Sequence, residues 1–277
     1  MKISNKNESK STHLKGPKIS FEDVGKGAIP FIFIHGFPFD KTSWQPQMDF
    51  LKSENRVIAY DIRGFGSSTA GRMKKSMQLF GTDLIKFMDA LSIEKAIVCG
   101  LSMGGYILLN AVERYPDRFE AIILSDTQCI ADSEEAKVKR NKAILQIKAE
   151  GLTSFADGFI NNIFCQESLD NKKDLVEKVR NMILATSPAT VTGTLTALAQ
   201  RSEMCTSLNK ILIPTLIICG KKDKVTPPSQ AEFLQSKIAY STLQIIEKAG
   251  HLSNLEQPEE FNKHLATFIA ALPNKNS

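Results

Sequence analysis

The feature that most constrains this chain is a set of short, largely apolar runs, most of them fit for burial on both faces, separated by segments with helical spacing. Six runs read as strands: residues 31–34, 56–60, 96–99, 121–124, 215–219 and 243–247. A run such as Phe31-Ile32-Phe33-Ile34 offers no polar face, so both faces need cover, as in a parallel sheet between layers of helices. Leu79, Leu84, Phe87, Met88 and Leu91 mark one helix between strands. Ile107, Leu108, Ala111 and Val112 mark another, stopped by Tyr115-Pro116. Phe261, Leu265, Phe268, Ile269 and Leu272 form the face of a last helix, with Pro258 near its start and Pro273 after it. The alternation predicts an α/β doubly wound sheet. A further strand at 19–24 precedes it, turning through Gly25-Lys26-Gly27.

Between about residues 127 and 210 the alternation stops. That stretch reads as about four helices, including 134–149 with Ile144 and Ile147 inward, and 172–186 with Val176, Val179 and Ile183 inward. It is too long for a loop, and a helical insertion lying over the sheet is expected. The predicted organisation is a core of residues 19–126 and 210–273, an insertion of 127–209, and a polar, disordered tail of 1–18.

The formal charge of +5 is concentrated in that tail, where Lys2, Lys6, Lys10, Lys15 and Lys18 face a single Glu8. The remaining body is nearly neutral, which gives no reason to expect a nucleic-acid surface. No run approaches the roughly twenty apolar residues of a membrane span, and the first residues lack the apolar stretch of a secretory signal. A cytoplasmic protein is therefore expected, with no membrane partner. The five cysteines have no CxxC pair and no histidine spacing suited to zinc. Cys99 and Cys219 lie in apolar runs, while Cys129, Cys165 and Cys205 are scattered; all are expected as reduced thiols.

The strongest local signal is Gly100-Leu101-Ser102-Met103-Gly104, a G-x-S-x-G directly after the strand at 96–99 and directly before a helix. A serine on such a sharp strand-to-helix turn is presented as a nucleophile, and the flanking glycines leave room for the turn. The Met103 amide would then stand at a helix N-terminus, where an oxyanion is favoured. His35-Gly36-Phe37-Pro38 follows the first buried strand, and the Phe37 amide can supply the other oxyanion contact. Of the four histidines, His13 lies in the tail, His264 within the last helix, and His35 in a turn that it is expected to hold. His251, in Ala249-Gly250-His251, remains as the base. For the acid, Asp223 and Asp126 each follow a strand, and chain order does not separate them. Phe37, Ser102, Asp223 and His251 all lie just past strand carboxyl ends, where open α/β sheets bind ligands.

Other motifs lead to plainer readings. Gly64-Phe65-Gly66-Ser67-Ser68-Thr69 imitates a dinucleotide loop but has Thr69 at the third glycine, and no P-loop occurs. No cofactor or metal is expected. Asp61 and Arg63 read as a loop-bracing ion pair, Trp44 as either pocket lining or packing, Arg201 as a surface salt bridge, and Lys137–Arg140 as a solvated face.

These segments, with Asp61-Ile62-Arg63-Gly64-Phe65-Gly66-Ser67-Ser68, Gly220-Lys221-Lys222-Asp223 and Pro227, resemble the α/β-hydrolase superfamily over roughly residues 19–273. Within it the chain looks like small bacterial esterases, enol-lactonases and cofactor-free haloperoxidases. The resemblance implies a mostly parallel eight-stranded sheet with a helical cap after the sixth strand, and it places the acid after the seventh, hence Asp223. Enol-lactonases of this branch usually carry a different sequence where this chain has His35-Gly36-Phe37-Pro38, which points away from that substrate. Haloalkane dehalogenases and epoxide hydrolases carry Asp in place of Ser102, which sets them aside. The function expected is hydrolysis of a small carboxylic ester, lactone or thioester through Ser102, His251 and Asp223. The alternatives are a carbon–carbon bond hydrolase or perhydrolase, an enzyme acting on an acyl group carried by a partner protein, or a slow ligand-sensing module on the same fold.

Overall fold

The computed structural model describes residues 9–272. The first two strands, β1 (Lys10–His13) and β2 (Lys18–Val24), form an antiparallel hairpin, and β2 continues antiparallel onto β4 (Val57–Tyr60). From there the sheet is parallel through β3 (Phe31–Ile34), β5 (Ala96–Leu101), β6 (Phe119–Ser125), β7 (Thr215–Gly220) and β8 (Ser241–Ile246). The spatial order of the eight strands is β1-β2-β4-β3-β5-β6-β7-β8.

Strand alternation explains the unbroken apolar runs. Phe31 and Phe33 point to one side of the sheet with Ile97, Cys99, Ala121, Ile123, Leu216 and Ile218. Ile32 and Ile34 point to the other with Val98, Ile122, Leu124, Ile217 and Cys219. Each side is a separate core. The first is closed by α1 (Gln45–Leu51), through Met48 and Leu51, and by the terminal helix, through Phe261 and Leu265. The second is closed by α2 (Met77–Ala90) and α3 (Met103–Arg114), through Phe80, Leu84, Phe87, Ile107 and Leu108. Trp44 belongs to the first core, stacked on Phe33 at 4.5 Å between ring centroids, so packing is its role.

Between β6 and β7 lie five α-helices, α4 (Glu134–Glu150), α5 (Thr153–Ile163), α6 (Gln166–Asn171), α7 (Lys173–Ala185) and α8 (Pro188–Ala199), followed by a short 3-10 helix, Cys205–Lys210. Their apolar faces join both cores, with Ile147 and Leu195 on one side and Ile160, Val179 and Ile183 on the other. The chain closes with α9 (Pro228–Lys237), α10 (Ser253–Glu256) and α11 (Pro258–Ala270). Among the described residues no single helix is long and apolar enough to cross a membrane.

Two expectations are corrected. The tail expected as disordered folds from Lys10 onward; residues 1–8 lie outside the described part. His13 pairs with Lys18 across the hairpin, and Leu14 at its tip is buried in a core, so one apolar residue and a strand edge outweigh the local excess of lysine. Cys129 and Cys205 are not scattered reduced thiols but a disulfide spanning 76 positions, reinforced by a 2.8 Å hydrogen bond from the Met204 N–H to the Cys129 carbonyl. The pair joins the chain entering the helical insertion to the chain leaving it. Closing so long a loop restricts the unfolded chain most. Replacing both cysteines with alanine is expected to lower unfolding free energy by about 2–4 kcal/mol. Urea titration of the two proteins checks this, and coincident transitions would show that the bond contributes nothing.

Candidate functional site

The site begins with the turn from β5 into α3. Ser102 has φ 53 and ψ −112, a conformation that L-residues rarely adopt. Its N–H donates to the Ser125 carbonyl at 2.9 Å, and its own carbonyl accepts from Gly105 N–H at 2.9 Å and from the Thr127 hydroxyl at 2.8 Å. The two glycines of the motif are required by close approach. A Cβ on Gly100 would stand 2.4 Å from the Gly104 carbonyl oxygen, and one on Gly104 would stand 2.4 Å from that of Ile34. The serine is thus held on a corner whose two flanking glycines, Gly100 and Gly104, have no room for a side chain.

Ser102, His251 and Asp223 lie in one hydrogen-bonded line. His251 Nε2 is 2.8 Å from Ser102 Oγ, and His251 Nδ1 is 2.7 Å from Asp223 Oδ2. All three are buried. Thr226 braces the carboxylate twice, its N–H on Oδ1 at 3.0 Å and its hydroxyl on Oδ2 at 2.8 Å, and the Val225 N–H adds a bond of 2.7 Å. The His251 loop is tied to the insertion: its N–H donates to the Ile163 carbonyl at 2.7 Å. Buried Glu256 accepts from both Gly250 N–H and Cys165 N–H, at 2.7 and 2.9 Å. Thr226 and Glu256 carry no motif and went unread in the sequence; only their nearness to Asp223 and His251 along the chain hinted at them.

Asp126 is also at this edge but is turned elsewhere. Its carboxylate accepts from Gly220 N–H at 2.8 Å and from the Ser253 and Ser125 hydroxyls at 2.5 and 2.9 Å. The imidazole therefore bonds Asp223, not Asp126. Burial, then the charge of Asp223, pushes the Asp126 carboxyl up to about 7. Burial also opposes charge on Asp223, but the His251 charge and hydrogen bond, with Thr226, hold it below its ordinary value. For His251 burial disfavours the cation, yet Asp223, Asp126 and Glu256 together raise its pKa above 6.5.

Met103 is the first residue of α3, so its amide has no partner within the helix. Phe37 lies in the turn after β3, where the turn's own bond is made by Phe39 N–H to the Gly36 carbonyl at 3.0 Å. Its ring meets Phe65 of the core and Phe155 and Phe159 of α5, with centroids 6.1–6.3 Å apart, which fixes the loop from two sides. His35 holds the same turn. Its Nδ1 bonds the Gly36 carbonyl at 2.8 Å and its Nε2 accepts from Ile62 N–H at 3.0 Å, and burial lowers its pKa, so it stays neutral.

The remaining polar candidates serve as braces. Asp61 pairs with Lys41 at 2.7 Å and Arg63 with Asp83, so the pair expected between Asp61 and Arg63 is replaced by two others. Arg201 is buried rather than superficial and binds Asp132, which also holds Arg140 of the face expected to be solvated. Asp126, Cys219 and Asp223 bring three ligand-type atoms within 4.8 Å. The carboxylates are committed to the bonds above, and burial, then Asp126 and Asp223, raises the thiol pKa, so this donor set does not suit a metal ion.

A serine on a strained strand-to-helix turn, an imidazole and a carboxylate in one hydrogen-bonded line at the carboxyl edge of a mostly parallel sheet define the α/β-hydrolase class. Residues 29–258 match the family described as alpha/beta hydrolase fold, and the chain belongs to that family. It is 32% identical over 245 residues to 3-oxoadipate enol-lactonase 2 of Acinetobacter baylyi, covering 88% of this chain and 90% of the relative. A thermophilic esterase from Thermogutta terrifontis superposes with a TM-score of 0.91 at 32% identity, covering 96% of this chain and 100% of that one. The enol-lactonase from Burkholderia xenovorans LB400 gives 0.88 at 25% identity, covering 94% and 100%.

Two carboxylates behind one imidazole predict a measurable titration. The His251 ring, followed by NMR, is expected to titrate above 6.5 in the intact protein and at a lower pH in Asp126→Asn, because one negative neighbour is gone. An unchanged midpoint would show that Asp126 carries no charge felt by the ring.

Proposed function

We propose that the chain is a serine hydrolase of carboxylic esters, lactones included. The observation that carries this reading is the 2.8 Å approach of His251 Nε2 to Ser102 Oγ on a strained turn. His251 takes the Ser102 proton as Oγ attacks the carbonyl carbon, and the amides of Met103 and Phe37 receive the oxyanion. Collapse of the tetrahedral intermediate breaks the ester C–O bond, and the leaving alcohol takes the proton from His251. Water then gives a proton to His251 and attacks the acyl-enzyme, and Ser102 leaves with that proton as the acid is released. Asp223 holds the imidazole with Nδ1–H toward itself and stabilises the imidazolium, which fits its depressed pKa. The enol-lactonase and esterase relatives support carboxylic-ester chemistry. The rings of Phe37, Phe155 and Phe159 favour an apolar group beside the oxyanion loop.

The test is hydrolysis of p-nitrophenyl acetate, butyrate and octanoate. Ser102→Ala is expected to lose at least about 10⁴-fold in kcat, and Asp223→Asn about 10³–10⁴-fold. Asp126→Asn is expected to keep most activity, since its carboxylate does not touch the ring. Turnover that survives Ser102→Ala would end the serine mechanism. An active Asp223→Asn beside an inactive, folded Asp126→Asn would transfer the acid role.

A further inference from the structure

A cavity of about 360 Å³ lies between the start of α2, the outer face of α3 and the two ends of the helical insertion. That volume is within the range of small-ligand sites. None of Ser102, His251, Asp223, Phe37 or Met103 contributes to its wall. The charged side chains that do contribute are Lys74, Lys75 and Arg201; no carboxylate lines it.

The positive charge there is only partly neutralised. Asp132 is shared by Arg201 and Arg140, one carboxylate for two guanidiniums. Arg201 is 8% exposed, its guanidinium lies over the Tyr106 ring at 4.5 Å, and its Nε has no hydrogen-bond partner. Among the described residues neither lysine has an acidic partner. Burial, then the nearby Arg63, draws the Lys75 ammonium below its ordinary pKa, as happens to a cation without a counter-ion. The wall also includes the first turn of the fourteen-residue helix α2, whose cap Ser76 accepts from Leu79 N–H at 3.1 Å. The amides of Met77 and Gln78 there have no intrahelical acceptor. Leu109 and Met204 add apolar side chains to the wall.

We propose that this cavity is a second binding site, separate from Ser102, for a small organic anion presenting a carboxylate or phosphate group. An occupant would stand close to the nucleophile turn. Tyr106 lies one turn after Ser102 on α3, and Gln128 follows Thr127, whose hydroxyl binds the Ser102 carbonyl. The site does not depend on the chemistry at Ser102.

Isothermal titration of the full chain with succinate and, separately, with inorganic phosphate tests it, with uncharged succinamide as control. Saturable binding of at least one anion is expected, and the tighter of the two assigns the headgroup. In Lys74→Met/Lys75→Met affinity should fall about tenfold or more, with Tm unchanged. Equal affinity in that variant, equal binding of succinamide, or no saturation by either anion would overturn the proposal.

Discussion

The backbone of Ser102 is the point on which the site depends. A non-glycine residue at φ 53 costs on the order of 1–3 kcal/mol and persists only where its surroundings over-determine it. Here the surroundings are the sheet itself. The parallel registers of β3, β5 and β6 set Ile34, Gly100 and Leu124 side by side. The loops leaving those strands therefore emerge together, with the Ser125 carbonyl in place to take the Ser102 amide. The close approach of Gly104 to the Ile34 carbonyl brings α3 down onto the strand that also launches the Phe37 loop. Ser102 and the Phe37 loop are thus positioned by one set of contacts.

Electrostatics then distinguishes two carboxyl groups that chain order leaves equivalent. Both are buried, and two full negative charges so close would repel. The structure separates them by environment. Asp223 gains an imidazole, two amides and a hydroxyl, while Asp126 gains one amide and two hydroxyls and is pushed up to about 7. Groups whose surroundings drive their pKa values apart take different roles. Asp223 is suited to permanent charge beside the imidazole, while Asp126 takes up a proton more readily.

What was legible in the sequence follows from how local each signal is. The inner strands could be read because burial on both faces leaves runs almost free of polar residues, and Ser102 because its turn demands glycines at fixed positions. His251 fell to elimination among four histidines. The choice of Asp223 needed the family resemblance, since nothing local separates it from Asp126. Other features depend on partners far away in the chain. Cys129 and Cys205 meet only because the insertion returns to its starting point. Arg63 finds Asp83 and not Asp61 for a similar reason: the partner lies on α2, twenty residues on. The hairpin at Lys10 was hidden by its lysines, which sit at an edge where water still reaches them.

The bond from His251 N–H to the Ile163 carbonyl has a consequence for how the molecule can move. The imidazole's own backbone is moored to the end of α5, and Glu256 lashes the same loop to Cys165. A hinge that lifted the insertion away in one piece would pull the histidine out of line with Ser102 in the same stroke. On this flank the insertion is a fixed wall and not a door.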